Sequence, residues 1–306
     1  MPTTASQDPL LEEFAAHLRF GRGLASNTIR AYTSDLLNLS TYVDPTATPG
    51  EVLPSITLPT LRGWLAGQAD SGLSRTTLAR RGAAVRAFFS WAAEAGLIEA
   101  NPAARLASAR PASTLPTVLS PGDVTAMLEA AEARASGGDP IEIRDWAAAE
   151  LLYATGMRVG ELVGVDVDDI DIGERLVRVM GKGGKERVVP FGVPAARATR
   201  LWLERGRPHL SANRFTPALF VGRRGKRVDQ RQIREAVHRL GAAAGVGDVA
   251  PHSLRHTAAT HLVDGGSDLR SVQEVLGHAS LTTTQRYTHV TAERLRASYH
   301  LAHPRA

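Results

Sequence analysis

The sequence predicts a mainly α protein in two parts, an N-terminal helical bundle and a larger α-rich domain carrying a small antiparallel β-sheet. Three observations predict it. Apolar residues fill 43% of the 306 positions but aromatic ones only 5%, so alanine and other good helix formers carry much of the apolar count. Apolar positions recur at helical spacing through most of the chain, whereas β-branched runs flank a single glycine-rich turn. A stretch rich in proline, serine and alanine from Ser108 to Thr117 separates two segments, each long enough for a core of its own. The expected division is an N-terminal domain over 1–107, a linker over 108–118 and a C-terminal domain over 119–306.

In order along the chain, a first helix is expected from about Leu10 to Phe20, ending near Gly21 and Gly23. Ser26 is expected to cap a second, with Ile29, Tyr32, Leu36 and Leu39 on one face. Pro59 suits the first turn of a third helix through Trp64 and Leu65. Ser74 suits the cap of a fourth, with Leu78, Val85, Phe88 and Trp91 inward and Arg75, Arg80, Arg81 and Arg86 in reach of a phosphate backbone. Asn101-Pro102 closes this part. Beyond the linker, helices are expected near Pro121 and from about Ile141 to Ala154. A hairpin follows, from Leu176–Met180 and Glu186–Val189 around Gly181-Lys182-Gly183-Gly184. Helices fill the remainder.

Charge narrows the function. The net charge is only +5, but twelve basic residues face three acidic ones between Arg197 and Arg239, leaving the rest of the chain slightly acidic. That local surplus suits a polyanion, with Arg223, Arg224, Lys226, Arg227 and Arg231 as phosphate contacts; a solvated helix face is the competing reading. With no cysteine, disulfides and thiolate metal sites are excluded. No apolar run reaches the length of a membrane span, the first ten residues lack a signal core, and a cytoplasmic location fits.

Four segments carry candidate chemistry. In Thr155-Gly156-Met157-Arg158-Val159-Gly160-Glu161-Leu162, Gly156 interrupts one helix and Arg158 starts the next, where helix amides favour anions. Glu161, one turn on, can orient the guanidinium or simply form a surface pair. Lys182 stands between glycines at a hairpin tip; a phosphate-cradling P-loop is ruled out because the Gly-x-x-x-x-Gly-Lys-Ser/Thr pattern is missing. Pro251-His252-Ser253-Leu254-Arg255-His256 opens a helix with His252 and Arg255 at i, i+3, suited to a phosphoryl group. His252 with His256 as a metal pair lacks a neighbouring glutamate and any cysteine to complete the shell. Finally, Gly277 ends a helix beginning near Ser267, His278 follows it, and Ser280 can cap a short helix carrying Tyr287, whose commonplace alternative is a packing role.

Taken in this order, the four segments resemble the tyrosine recombinase (phage integrase) family, most closely the bacterial Xer chromosome-dimer recombinases. Those proteins carry Thr-Gly-x-Arg-x-x-Glu-Leu, Gly-Lys-Gly-x-Lys, His-x-Leu-Arg-His-Thr and Leu-Gly-His…Tyr-Thr-His, and the likeness here runs from about Leu10 to Tyr299. Gly160 stands where serine is common and Ala258 where phenylalanine often follows His-Thr. The resemblance implies a SAM-like N-terminal bundle and a DNA breaking-rejoining catalytic fold. It implies catalytic roles for Arg158, Lys182, His252, Arg255, His278 and the nucleophile Tyr287, and DNA contacts that include Ser26.

By the same resemblance, the reaction yields a 3′-phosphotyrosine without metal, ATP or other cofactor. Its target is a double-stranded recombination site, held by a homo- or hetero-tetramer with a second Xer-type recombinase, and a DNA translocase activates some relatives. The tail after Val290, with Leu295, Tyr299 and Leu301, is similar to the segment that relatives dock on a neighbouring subunit. The short lead before the first helix favours a chromosomal enzyme over a phage or mobile-element integrase with an extra arm-binding domain. A monomeric type IB topoisomerase, a non-catalytic DNA-binding relative and a zinc enzyme are the remaining alternatives.

Overall fold

The computed structural model describes residues 8–107, 118–181, 184–211, 215–267, 272, 275–276, 299 and 302–306. The chain divides into two compact units, 1–114 and 115–306.

The first unit is helical. Helix α1 (Pro9–Ala16) begins where the Asp8 carboxylate accepts the Leu10 and Leu11 amides, and it continues as a wider π turn over His17–Gly21. Helix α2 (Ser26–Val43) opens one residue earlier than expected. Ala25 is its N-cap, because the Ala25 carbonyl already accepts the Thr28 and Ile29 amides. Ser26 therefore lies inside the first turn and does not cap it. A short α3 (Pro49–Val52), opened by a Thr48–Glu51 capping box, follows α2 in addition to the expected helices. Helix α4 (Leu58–Asp70) takes Pro59 in its first turn, and α5 (Arg75–Glu94) is capped by Ser74 Oγ on the Thr77 amide at 3.2 Å. Phe14, Leu36, Leu61, Trp64, Val85 and Phe88 meet in a closed core. Each such side chain contributes about 1.5–3 kcal/mol by leaving water.

The second unit is built around α7 (Pro140–Thr155), which is buried from Ile143 to Thr155 and packs against α6 (Pro121–Ala135), α9 (Val193–Leu201), α10 (Arg207–Ser211), α11 (Gln230–Ala243) and α12 (Pro251–Asp264). A helix surrounded by others loses its polar face, and the charged residues it keeps are each paired. Asp145 takes Arg144 and Arg239, and Glu150 takes Arg305. The short α8 (Val159–Gly164) leads into an antiparallel sheet ordered β1 (Ile170–Asp171), β2 (Leu176–Met180), β3 (Glu186–Pro190). In it Leu176 pairs with Pro190 and Met180 with Glu186. The predicted hairpin is thus present, with β1 as an added edge strand.

The last residues lie on their own unit. Arg305 meets Glu150 at 2.6 Å, Tyr299 stacks on His303 at 4.5 Å between ring centres, and a Cβ at Gly192 would stand 1.9 Å from the Arg305 carbonyl oxygen. Glycine is required at 192 because this backbone crosses directly over it. Leu295 and Leu301 of the expected subunit-docking tail fall outside the described residues, and Tyr299 is buried within its own chain.

Candidate active site

The site starts at the end of α7. Gly156 adopts φ +59°, the left-handed conformation that stops a helix, and its missing side chain makes room for Leu276, whose Cδ2 would stand 2.6 Å from a Cβ there. The chain then turns so that Arg158 is the N-cap of α8. Glu161 binds it twice, accepting the Arg158 amide and Nη1, each at 2.8 Å. The carboxylate is buried while the Arg158 side chain stays 46% exposed. The pair is therefore a fixed mount for a cation facing solvent, a role that i, i+3 spacing alone does not distinguish from a surface bridge.

Helix α12 supplies the second cation. Pro251 occupies its first turn, His252 is exposed, and Arg255, one turn further, is buried. Arg255 donates through Nη1 to the Gly156 carbonyl at 2.6 Å and through Nη2 to the Leu276 carbonyl at 2.7 Å. Burial, and then the nearby Arg158 cation, lower its pKa to about 10, so it remains charged at neutral pH. Two arginines from distant segments thus come together, one buried and one open. Further along α12, the buried His261 meets the Tyr153 hydroxyl at 2.8 Å and the Leu119 carbonyl at 3.0 Å, which makes it a packing residue.

Sequence reasoning missed Arg187. It lies on β3, is 5% exposed, and joins Glu161 to the Val275 carbonyl. Burial raises the Glu161 pKa, but the hydrogen bonds from Arg187 and Arg158 outweigh it and hold the carboxyl below its ordinary value. The available signal was parity: Arg187 shares the inward side of β3 with Val189, where a charged residue must have a partner.

Lys182, His278 and Tyr287, with Ser280, fall outside the described residues. The described chain next to them is anchored: the Gly181 amide binds the Lys185 carbonyl at 2.7 Å, and the carbonyls of Val275 and Leu276 are held by Arg187 and Arg255. Among the described residues no group of three or more His, Asp or Glu side chains could hold a metal ion.

The candidate phosphate contacts separate into two kinds. Arg223, Arg224 and Lys226 are exposed on a tight turn closed by the Gly222 and Gly225 amides, beside an open cleft of about 630 Å³ that Arg144, Arg227 and Arg239 also line. Arg227 is paired with Asp166 and Arg231 with Glu235, while Arg75 is exposed. By contrast, Arg80 and Arg81 are engaged inside the bundle. Both bind the buried Asp35, and Arg81 also meets Gln68, Asn38 and the Trp64 ring.

Paired arginines mounted at the meeting of a helical core and a small sheet define, with this fold, the class of enzymes that break and rejoin DNA strands. The chain belongs to the phage integrase family: residues 117–294 match the phage integrase family and residues 11–96 the phage integrase N-terminal SAM-like domain. It is 52% identical over 300 residues to tyrosine recombinase XerC of Mycobacterium sp. (strain JLS), covering 98% of this chain and all of that one. To tyrosine recombinase XerC of Mycobacterium leprae (strain TN) it is 51% identical, over 97% of this chain and 99% of that one. Among solved structures, XerH site-specific recombinase bound to palindromic difH substrate shares the fold with a TM-score of 0.66 at 24% identity, over 96% of this chain and 84% of that one. No described helix is long and apolar enough to cross a membrane.

Proposed function

We propose that this enzyme is a Xer-type site-specific recombinase, acting in the cytoplasm on a double-stranded recombination site to resolve chromosome dimers at cell division. The observation that carries the reading is the pairing of Arg158 with Arg255 where Arg255 holds the Leu276 carbonyl, at the entry to the segment that contains Tyr287.

A phosphodiester gains charge on its non-bridging oxygens as it is attacked. The guanidinium groups of Arg158 and Arg255 are placed to offset that charge, and His278 adds a donor. Tyr287 attacks through its hydroxyl oxygen and gives its proton to His252. Lys182 protonates the departing 5′ oxygen. The product is a 3′-phosphotyrosine and a free 5′-hydroxyl. The covalent bond retains the energy of the broken diester, so an incoming 5′-hydroxyl reseals the strand without ATP. Two duplexes are held by four protomers, all of this chain or two each with a second Xer-type recombinase; a DNA translocase is the expected activator. The exposed Arg223, Arg224 and Lys226, with Arg75, supply phosphate contacts that set register without reading bases.

The test begins with nuclease footprinting on chromosomal DNA to find the protected site, followed by incubation with a duplex of that site nicked beside the cut. A protein–DNA adduct that survives denaturation, formed in excess chelator, is the expected result. Absence of any adduct on the protected site points to a non-catalytic DNA-binding relative instead.

A further inference from the structure

Among the described residues, Arg187 is the least exposed cation near the site, and the groups it touches belong to different candidate segments. Its Nη1 and Nη2 grip the two Glu161 oxygens at 3.2 and 2.7 Å, and those same oxygens hold the Arg158 side chain and amide. On the other edge of the guanidinium, Nε donates to the Val275 carbonyl at 3.0 Å, next to the Leu276 carbonyl held by Arg255. Gly181, the residue before Lys182, lies against it, since a Cβ there would stand 3.6 Å from Arg187 Nη1.

A planar guanidinium offers its donors in a rigid fork, so grasping a carboxylate on one edge and a carbonyl on another fixes the distance between them. Arg144 and Arg227 also span a carboxylate and a carbonyl, Asp145 with Val221 and Asp166 with Val163, but neither reaches the backbone before Tyr287. We propose that Arg187 is a positioning residue for strand cleavage, which sets the backbone leading to Tyr287 in register with the phosphate-binding Arg158. It touches neither DNA nor the reacting atoms. It acts through Glu161 on one side and Val275 on the other. The inference rests on the assignment of Tyr287 as nucleophile and Arg158 as a phosphate ligand.

Displacing a nucleophile by an ångström costs on the order of 100-fold in rate, and that is the loss expected for Arg187→Gln in single-turnover cleavage of the nicked duplex at saturating protein. The Kd for the intact site should stay within about twofold of the parent, because no phosphate contact is removed. Arg187→Lys should recover little of the rate, since one ammonium cannot span both partners.

A duplex with a bridging 5′ sulfur at the cut separates the routes, because a thiolate leaves without needing a proton. It should rescue Lys182→Ala and fail to rescue Arg187→Gln. Parent-like cleavage by Arg187→Gln overturns the proposal, and so does rescue by the sulfur substrate, which would place the effect on Lys182. A rate loss matched by an equal loss of DNA affinity and of melting temperature also overturns it, as a purely structural role; Arg187→Lys is measured alongside in case the glutamine variant does not fold. If the parent protein forms no adduct, it is the assigned chemistry that fails, and Arg187 is not on trial.

Discussion

Asp35 in the N-terminal unit and Glu161 in the C-terminal unit are both buried carboxylates shared by two arginines, yet their surroundings drive them in opposite directions. Burial outweighs Arg80 and Arg81 at Asp35 and raises its pKa, whereas Arg187 and Arg158 outweigh burial at Glu161 and lower it. Glu161 accepts hydrogen bonds from both arginines and from the Arg158 amide, whereas Asp35 accepts one from Arg80 alone. The arginines also differ in where their remaining donors go. Those on Asp35 reach bundle residues, the Ala31 carbonyl and the side chains of Asn38 and Gln68. Those on Glu161 reach the backbone before the Tyr287 segment and the solvent-facing site. A shared carboxylate therefore ties helices together in one unit and holds an arginine open to solvent in the other.

The largest expected effect breaks the second mount at its partner. Arg255→Ala should lower the cleavage rate on a nicked duplex by roughly 10²–10³-fold, the usual cost of one preorganised donor, and leave the N-terminal unit unaffected. A loss below threefold would remove Arg255 from the chemistry.

A buried base without a carboxylate sharpens the contrast. His303, stacked on Tyr299 and against the tilted ring of Tyr153, has its pKa lowered to about 4 from 6.5, chiefly by burial. Its folded pKa is below its unfolded one, so the stability it confers is complete above pH 6.5 and is lost as the pH falls toward 4. The loss is about 3 kcal/mol at 1.36 kcal/mol per unit. Denaturant titrations across that window should show this slope in the parent and a flatter one in His303→Phe.

Neutralising the two carboxylates should separate them. Glu161→Gln leaves buried Arg187 facing a neutral amide, and should lower stability by about 2 kcal/mol together with the cleavage rate. Asp35→Asn removes a charge the fold already disfavours, and should cost less than about 1 kcal/mol with cleavage unchanged. Acid acts with the same signs: Glu161 loses its contribution as the pH falls through its lowered pKa, while Asp35 takes up a proton before the unfolded chain does. Equal responses in melting temperature and rate would erase the distinction.

The smallest effect concerns the exposed turn. Replacing Arg223, Arg224 and Lys226 singly by alanine should weaken binding to all duplexes alike and lower the slope of log affinity against log salt by about one per lost phosphate contact. A change in sequence preference would instead make them base readers.

The helices were legible because their signals are local. Ser74 and Pro59 stand at helix starts, and Gly156 announces the break that presents Arg158. Ser26 misled by one position, since nothing in the sequence says that the Ala25 carbonyl would be the first to accept. The fates of Arg80 and Arg81 were not legible, because Asp35 lies a helix away and only folding brings it beneath them. Arg187 was hidden for the same reason: its partners are Glu161 and Val275, and only the strand's parity marked it as inward. The solvent-facing Arg158 can be read from a motif, while the buried Arg187 that shares its carboxylate requires the fold.

The central claim is that Tyr287 forms the covalent bond to DNA. Trypsin digestion of the trapped adduct, followed by mass spectrometry, should find the 3′ nucleotide on the peptide from Tyr287 to Arg294, and Tyr287→Phe should yield no adduct. A nucleotide linked to any other residue, or an adduct that persists in Tyr287→Phe, would contradict the account.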